Sequence, residues 1–487
     1  MPTQERVIWY HPRRTEELPV PEGAMTPFDG TTDLKIARRT RRLTQTPAER
    51  QRDILIDPDF GVGIPIVDGA HTAKDYAMGL LRLAAEVEHA LMVQYLYAAD
   101  SIDPDDDARN NAVKLRRIAQ EEMGHLGTVQ NLLLLLGGPR AFYLQRDLIR
   151  RGNPANPIAF VLEPVSRHSL AKYVVAEMPE EVPESKQAKV DELIALAETD
   201  MGFKPHRVGA IYAMIRWLFL PKAEALAWMD LKALFPDAPL PDSPHLEDAD
   251  FQEPAIIALH EVFGEDWGDD SGHFLLERAI DRQSALDALD LITDQGEGLG
   301  GADSSHFEEF LELIDAFDIK PFGRPIATSP TLTVGHGGEK PTPVVAPYTA
   351  KWLEVQSLQY QLLIVGLLHG LAHPRTTDDT LRSDLAELCL KSMRRLFGML
   401  AKLLTRMPVG ADGSISAGPS YDLEPAQINS ADIAEYVRRQ LAIMDRLAVL
   451  YAEIEQTGDD VTDQLAELRL HDRGRRKLLK TLSAQIT

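Results

Sequence analysis

A long apolar stripe in this chain is interrupted by an acid and an imidazole, and any fold that buries the stripe must also satisfy them. Val113, Leu115, Ile118, Ala119, Val129 and Leu132 recur at three- and four-residue spacing, the period of a helix with one buried face. Glu122 and His125 fall in the same phase, inside Glu121-Glu122-Met123-Gly124-His125. An unpaired carboxylate in an apolar interior is costly, and a bound metal ion removes the conflict. The i, i+3 Glu-x-x-His spacing is the one with which carboxylate-bridged di-metal bundles aim both side chains at one ion. Glu121 lies off the buried phase and is read as solvated.

An upstream helix over 73–99 repeats the anomaly. Leu80, Leu81, Ala84, Ala85, Leu91, Met92 and Leu96 carry its apolar phase, and Glu88 and Tyr95, seven residues apart, share it. Glu88 is therefore a second candidate ligand. Tyr95 reads either as a core aromatic or as a hydrogen-bond donor beside the metal. Glu86 is off phase and read as solvated, and His89 as facing elsewhere. The Asp-rich turn 103–107 separates this helix from the next, which stops at Gly137-Gly138-Pro139, so the two form an antiparallel hairpin.

The single cysteine, Cys389, excludes a thiolate-rich zinc or iron–sulfur site and leaves histidine and carboxylates as ligands. The formal charge of −24 opposes nucleic acid and anionic membranes and favours cations and small molecules. The most apolar run, Leu362 to Leu368, is far short of the roughly 20 residues that span a bilayer. With no secretory pattern at Met1-Pro2-Thr3-Gln4, the expectation is a cytoplasmic protein with no nucleic-acid or membrane partner, open to forming a homo-oligomer.

The chain divides into an N-terminal arm over 1–70, a metal-binding bundle over 71–331 with an insertion at about 140–280, a Gly/Pro linker over 332–348, and a C-terminal helical region over 349–487 packed on the bundle. The third and fourth bundle helices are read at 284–293 and 304–317. His369 and His373, spaced i, i+4 before Pro374, are read as helix-end groups rather than ligands.

Glu86-Val87-Glu88-His89-Ala90 with Tyr95-Leu96, and Ile118 through His125, resemble the first hairpin of ferritin-like proteins. They resemble above all the ferritin-like domain of the iminophenylpyruvate dimer synthase family, which includes the violacein and rebeccamycin pathway enzymes of the chromopyrrolate synthase type. Leu291 through Gly298 followed by Ser305-His306-Phe307 is similar to that family's acidic Gly-Glu-Gly turn and Ser-His-aromatic helix start. Met393-Arg394-Arg395-Leu396 with Ala417-Gly418-Pro419-Ser420 is similar to its C-terminal pattern, so the resemblance covers roughly 60 to 425.

The resemblance implies an all-α fold, a ferritin-like four-helix bundle with a long crossover insertion and additional C-terminal helices. It also implies Glu297 and His306 as further metal ligands and iron as the cofactor. An iron-dependent oxidase or oxygenase would then use dioxygen on a small-molecule substrate, an amino-acid-derived imine or amine, in natural-product biosynthesis. One departure stands: the second Glu-x-x-His of ordinary ferritin-like bundles is replaced by Glu297, then His306 with Glu309 in reverse order. One iron or two are both open, with Glu309 in reserve. The rival readings are a ferroxidase, for which a compact four-helix chain would suffice, and a non-catalytic scaffold.

Overall fold

Helix α1 (Ala73–Asp100) begins at a reciprocal cap. Thr72 Oγ1 accepts from the Asp75 N–H at 3.0 Å, and the Asp75 carboxylate accepts from the Thr72 N–H at 3.1 Å. Helix α2 (Asn111–Gly137) starts where the Asp107 carboxylate accepts from the N–H groups of Asn111 and Ala112, at 2.7 and 2.9 Å. It ends at Gly138, whose φ of +70° lies where a side chain would be strained. The two helices pack antiparallel along their length, as the sequence predicts.

The computed structural model describes residues 7–10, 63–103, 107, 109–146, 159–179, 182–201, 208–264, 276–297, 305–333, 340–375, 380–424, 432–457 and 461–486. Among these it is all-α apart from two small two-stranded sheets. Strand β1 (Val7–Tyr10) pairs antiparallel with β2 (Ile64–Val67), Val7 opposite Val67. A Cβ on Gly79 of α1 would stand 2.7 Å from the Val67 side chain, so a glycine there lets β2 lie on the helix. The helical pattern near 34–43 lies outside the described residues.

The third and fourth bundle helices differ from the sequence reading. The segment read as crossover supplies α3 (Arg167–Ala176), α4 (Glu184–Met201) and α5 (Gly209–Phe219). The Val208 N–H donates to the Ala176 carbonyl at 3.3 Å, so α5 resumes where α3 stops. Opposite this broken rod runs a second, α6 (Arg282–Glu297) followed by α7 (His306–Ile319). Helix α5 packs on α6, and α3 packs on α7. Arg282 donates to the Phe219 carbonyl at one end and Arg167 pairs with Asp318 at the other, so the two rods are antiparallel. The segments 284–293 and 304–317 are therefore two halves of one bundle position, and α3 with α5 fills the other. Periodicity in the sequence marks helical stretches near 183–201 and 205–218 but does not tell a crossover helix from a bundle rod, and α3, ten residues long, carries too little of it to be read.

Beyond the bundle, α8 (Pro347–Ala372) packs on α9 (Leu381–Lys391), α10 (Gly398–Leu404) and α11 (Ile433–Glu455), and α12 (Thr462–Ile486) packs on α9 and α11. His89 of α1 meets Tyr360 of α8, which joins this region to the bundle. Among the described residues no helix is long and apolar enough to cross a membrane. His369 is buried against Gln440, and among the described residues no candidate metal-ligating group includes it or His373.

Candidate metal centre

Both rods break at the level where α1 and α2 carry their buried acids. Glu88 comes from the middle of α1, Glu122 and His125 from the middle of α2, Glu177 from the residue that ends α3, and His306 from the first residue of α7. All five are buried. They form two donor sets, Glu88 with Glu122 and His125, and Glu122 with Glu177 and His306, each with its ligand atoms within 4.8 Å of one another. Glu122 belongs to both.

Each set is held in the same way. The Tyr212 hydroxyl donates to Glu88 Oε1 at 2.5 Å, and the Tyr95 hydroxyl donates to Glu177 Oε1 at 2.6 Å. Both terminal carboxylates thus have one oxygen fixed from outside and the other turned inward. His125 turns Nδ1 toward Glu122 Oε2 at 2.8 Å and Glu88 Oε2 at 3.6 Å, and its Nε2 meets Gln295 Oε1 at 2.9 Å. An amide oxygen only accepts, so Nε2 carries the hydrogen and Nδ1 is left for the centre. His306 repeats this, with Nδ1 toward Glu122 Oε1 at 2.9 Å and Glu177 Oε2 at 3.8 Å, and Nε2 on Glu121 Oε2 at 3.0 Å. Outer hydrogen bonds of this kind fix the tautomer and orientation of metal-binding imidazoles.

The electrostatics are those of a site that attracts cations. Burial pushes the Glu88 carboxyl up to about 8, the Glu122 charge adding to the rise and His125 opposing it. Burial, then the Glu122 charge, raises Glu177 as well. Burial alone would also raise Glu122, but His306 and His125 reverse this and hold it well below the usual carboxylate range. Burial would lower His125, yet Glu122 and Glu88 bring it to about 10, and His306 is raised well above its ordinary value by Glu122 and Glu121. Two imidazolium charges flank an ionised Glu122, so each donor set already favours one positive charge.

At one of the two donor sets the close contact is not a hydrogen bond. Glu122 Oε1 and His306 Nδ1 are 2.9 Å apart without the alignment of a hydrogen bond, and both are buried atoms with no hydrogen-bond partner. Ligand atoms at right angles around an ion about 2.1 Å away stand about 3.0 Å apart. Carboxylate and imidazole donors without thiolate suit iron or manganese in a helical bundle.

Of the sequence candidates, Glu88, Glu122, His125 and His306 are brought together. The side chain of Glu297 lies outside the described residues. Glu309 belongs to neither donor set and pairs with Arg117. Tyr95 sits behind Glu177. Glu121 and Glu86, read as solvated, are buried: Glu121 holds His306 and Arg117, and Glu86 accepts from the Tyr143 hydroxyl. Val113, read as core, is 63% exposed. Glu177, Tyr212 and Gln295 were missed. Gly296 carries one signal for the first, since a Cβ there would stand 3.2 Å from Glu177 Oε2.

Residues 81–315, which cover most of the bundle, match the ferritin-like family model. The chain is 26% identical to dichlorochromopyrrolate synthase of Lentzea aerocolonigenes over 84% of this chain and 42% of that protein. It is 30% identical to 2-imino-3-(indol-3-yl)propanoate dimerase of Chromobacterium violaceum over 47% of this chain and 21% of that protein. These relatives match the family that the sequence resembles, and the chain spans less than half the length of either. No solved structure gives a significant match.

Proposed function

We propose that Glu88, Glu122 and His125 hold one iron ion, that Glu122, Glu177 and His306 hold a second, and that the protein is an oxidoreductase of natural-product biosynthesis. Its proposed substrate is an amino-acid-derived imine or amine, and dioxygen its oxidant. The observation that carries the reading is the sharing of Glu122 between two donor sets built alike. Iron held there would supply redox chemistry toward dioxygen. The chain's own residues do the positioning: Tyr212 and Tyr95 pin the outer oxygens of Glu88 and Glu177, and Gln295 and Glu121 keep each Nε2 hydrogen off the centre. The apolar surround, with Tyr173 and Phe310 against Tyr95, keeps water from one flank.

That the relatives are a synthase and a dimerase, one named for an imino acid, favours catalysis on an organic substrate over iron storage. Anaerobic reconstitution with Fe(II) followed by mass-spectrometric metal analysis tests the centre. About two irons per chain are expected from the two donor sets. Below about 0.2 iron per chain, allowing for partial loading, the iron reading fails. Oxygen uptake that depends on an added imino acid separates an oxidase from a ferroxidase, which consumes oxygen with Fe(II) alone.

A further inference from the structure

On another face of α1, away from the metal centre, stands a buried cation whose donors are mostly unused. Arg146 is only 5% exposed. Its guanidinium has five N–H bonds on three nitrogens. Nη2 donates to the Tyr421 carbonyl, and Nε and Nη1 have no hydrogen-bond partner. Among the described residues no carboxylate pairs with it. Asp422 and Glu86 act on it only at longer range, and each accepts a hydrogen bond elsewhere, from Thr331 and Tyr143. A guanidinium does not shed its proton, so a dry Arg146 without an anion is a charge left without compensation.

The described surroundings do not supply that anion. His89 faces the site from α1, and its Nε2 meets the Tyr360 hydroxyl. A histidine carries no negative charge in either form, and burial pushes the Tyr360 phenol up to about 12, so neither is an anion at pH 7. What the surroundings supply is aromatic surface. The guanidinium carbon lies 4.6 Å from the Phe160 ring centre and 5.8 Å from that of Tyr360, and Tyr421 meets Tyr360 edge-on at 5.2 Å. One turn before Tyr360 on α8, Gln356 has a buried Nε2 that also lacks a partner. Tyr421 itself holds a left-handed φ of +48°, a strained conformation for a tyrosine. Such strain concentrates where a structure clamps a ligand.

We propose that Arg146, walled by Phe160, Tyr360 and Tyr421, is a binding site for the carboxylate of a small aromatic acid, distinct from the metal centre. The carboxylate would take the free N–H groups of Arg146, and its ring would lie among the aromatic walls. The site does not depend on iron, and its test needs neither iron nor turnover.

The probe is phenylacetate, with phenylacetamide as the neutral control, titrated into the full chain while its melting temperature is followed. Phenylacetate is expected to raise the melting temperature saturably and phenylacetamide to leave it unchanged. Equal shifts, or none, overturn the proposal without recourse to any variant. Where the variants fold, Arg146→Gln is expected to weaken phenylacetate binding at least about 30-fold, the effect of removing one partner of a buried charge pair, and Arg146→Lys to weaken it less. His125→Ala is expected to leave it intact. If His125→Ala removes the binding and Arg146→Gln does not, phenylacetate sits at the metal centre and the proposal fails.

Discussion

Glu121→Gln offers the sharpest test of how the centre is held, because Glu121 belongs to neither donor set yet touches a member of one. Its Oε2 lies 3.0 Å from His306 Nε2, and its Oε1 accepts from Arg117 at 3.2 Å. Arg117 in turn reaches Glu309, so a charged chain runs from α7 through α2 to the imidazole. The carboxylate draws on the Nε2 hydrogen, which makes Nδ1 a better donor to a metal and keeps the ring turned toward Glu122 and Glu177. An amide keeps the shape and loses the charge. Removing an outer partner of this kind lowers metal affinity about 10- to 100-fold, which is about 1.4 to 2.7 kcal/mol. The loss should fall on the Glu122–Glu177–His306 set alone, because His125 is oriented by Gln295 instead. Anaerobic titration with Fe(II), read as a binding isotherm, should give one site of unchanged affinity and one weakened. Two sites of wild-type affinity, or loss of the His125 set first, would refute the reasoning.

Other substitutions divide the centre differently. His125→Ala should abolish iron-dependent oxygen consumption while circular dichroism keeps its helical signal, since the hairpin is held by burial of Leu115, Ile118, Val129 and Leu132; loss of the helical signal would refute this. Glu177→Ala should reduce iron content from about two per chain to about one, because it strips a terminal ligand from one donor set; unchanged content would remove Glu177 from the site. Tyr95→Phe deletes the donor to Glu177 and should weaken the same site as Glu121→Gln, whereas Tyr212→Phe should weaken the Glu88 site, which two-site isotherms would separate. In the C-terminal region, burial and then the His373 and Arg475 charges lower His369 to about 4 from 6.5, so its neutral form is the folded one. Its contribution is therefore present above pH 6.5 and declines as the pH falls toward 4, by an amount of the order of 3 kcal/mol. His369→Asn should flatten the fall in melting temperature between pH 6.5 and 4, and an unchanged slope would exclude His369 as the cause.

The same network explains why that histidine must stay neutral. Arg475 has only donors, so Gln440 turns Oε1 to it at 3.1 Å and Nε2 to His369 Nδ1 at 3.0 Å. Nδ1 is then an acceptor, and protonating it would set two donors against each other. None of this was legible in the His369-to-His373 spacing, because it depends on Arg475 and Gln440, which lie in later helices.

The first hairpin was legible because its signals are local. The Asp-rich turn over 103–107 and the Gly137-Gly138-Pro139 stop are each read from a few neighbouring residues, and α1 runs Ala73–Asp100 against a predicted 73–99. The phase of Glu88, Glu122 and His125 was legible for the same reason. The phase argument went wrong at Glu86 and Glu121 because it assumes one buried face. A helix inside a bundle has neighbours on several sides: Glu121 leaves the α1 face of α2 and meets His306 of α7, while Glu86 leaves the metal face of α1 and meets Tyr143. Val113 errs in the other direction, in the first turn of α2, where the apolar stripe is exposed.

The second half of the centre resisted reading for a reason that lies in its construction. An unbroken helix presents ligands as an i, i+3 pair, and that pair is visible in a sequence as Glu-x-x-His. Here the third rod breaks after Ala176 and the fourth before His306, both at the level of the two donor sets. Each broken rod gives one member of a donor set from a helix end, Glu177 as the residue closing α3 and His306 as the residue opening α7. A residue at a helix end has no periodic neighbours to reveal which way its side chain points. The missing second Glu-x-x-His is thus a consequence of the two breaks, and the site makes up its second donor set by sharing Glu122, the one carboxylate that both sets can reach.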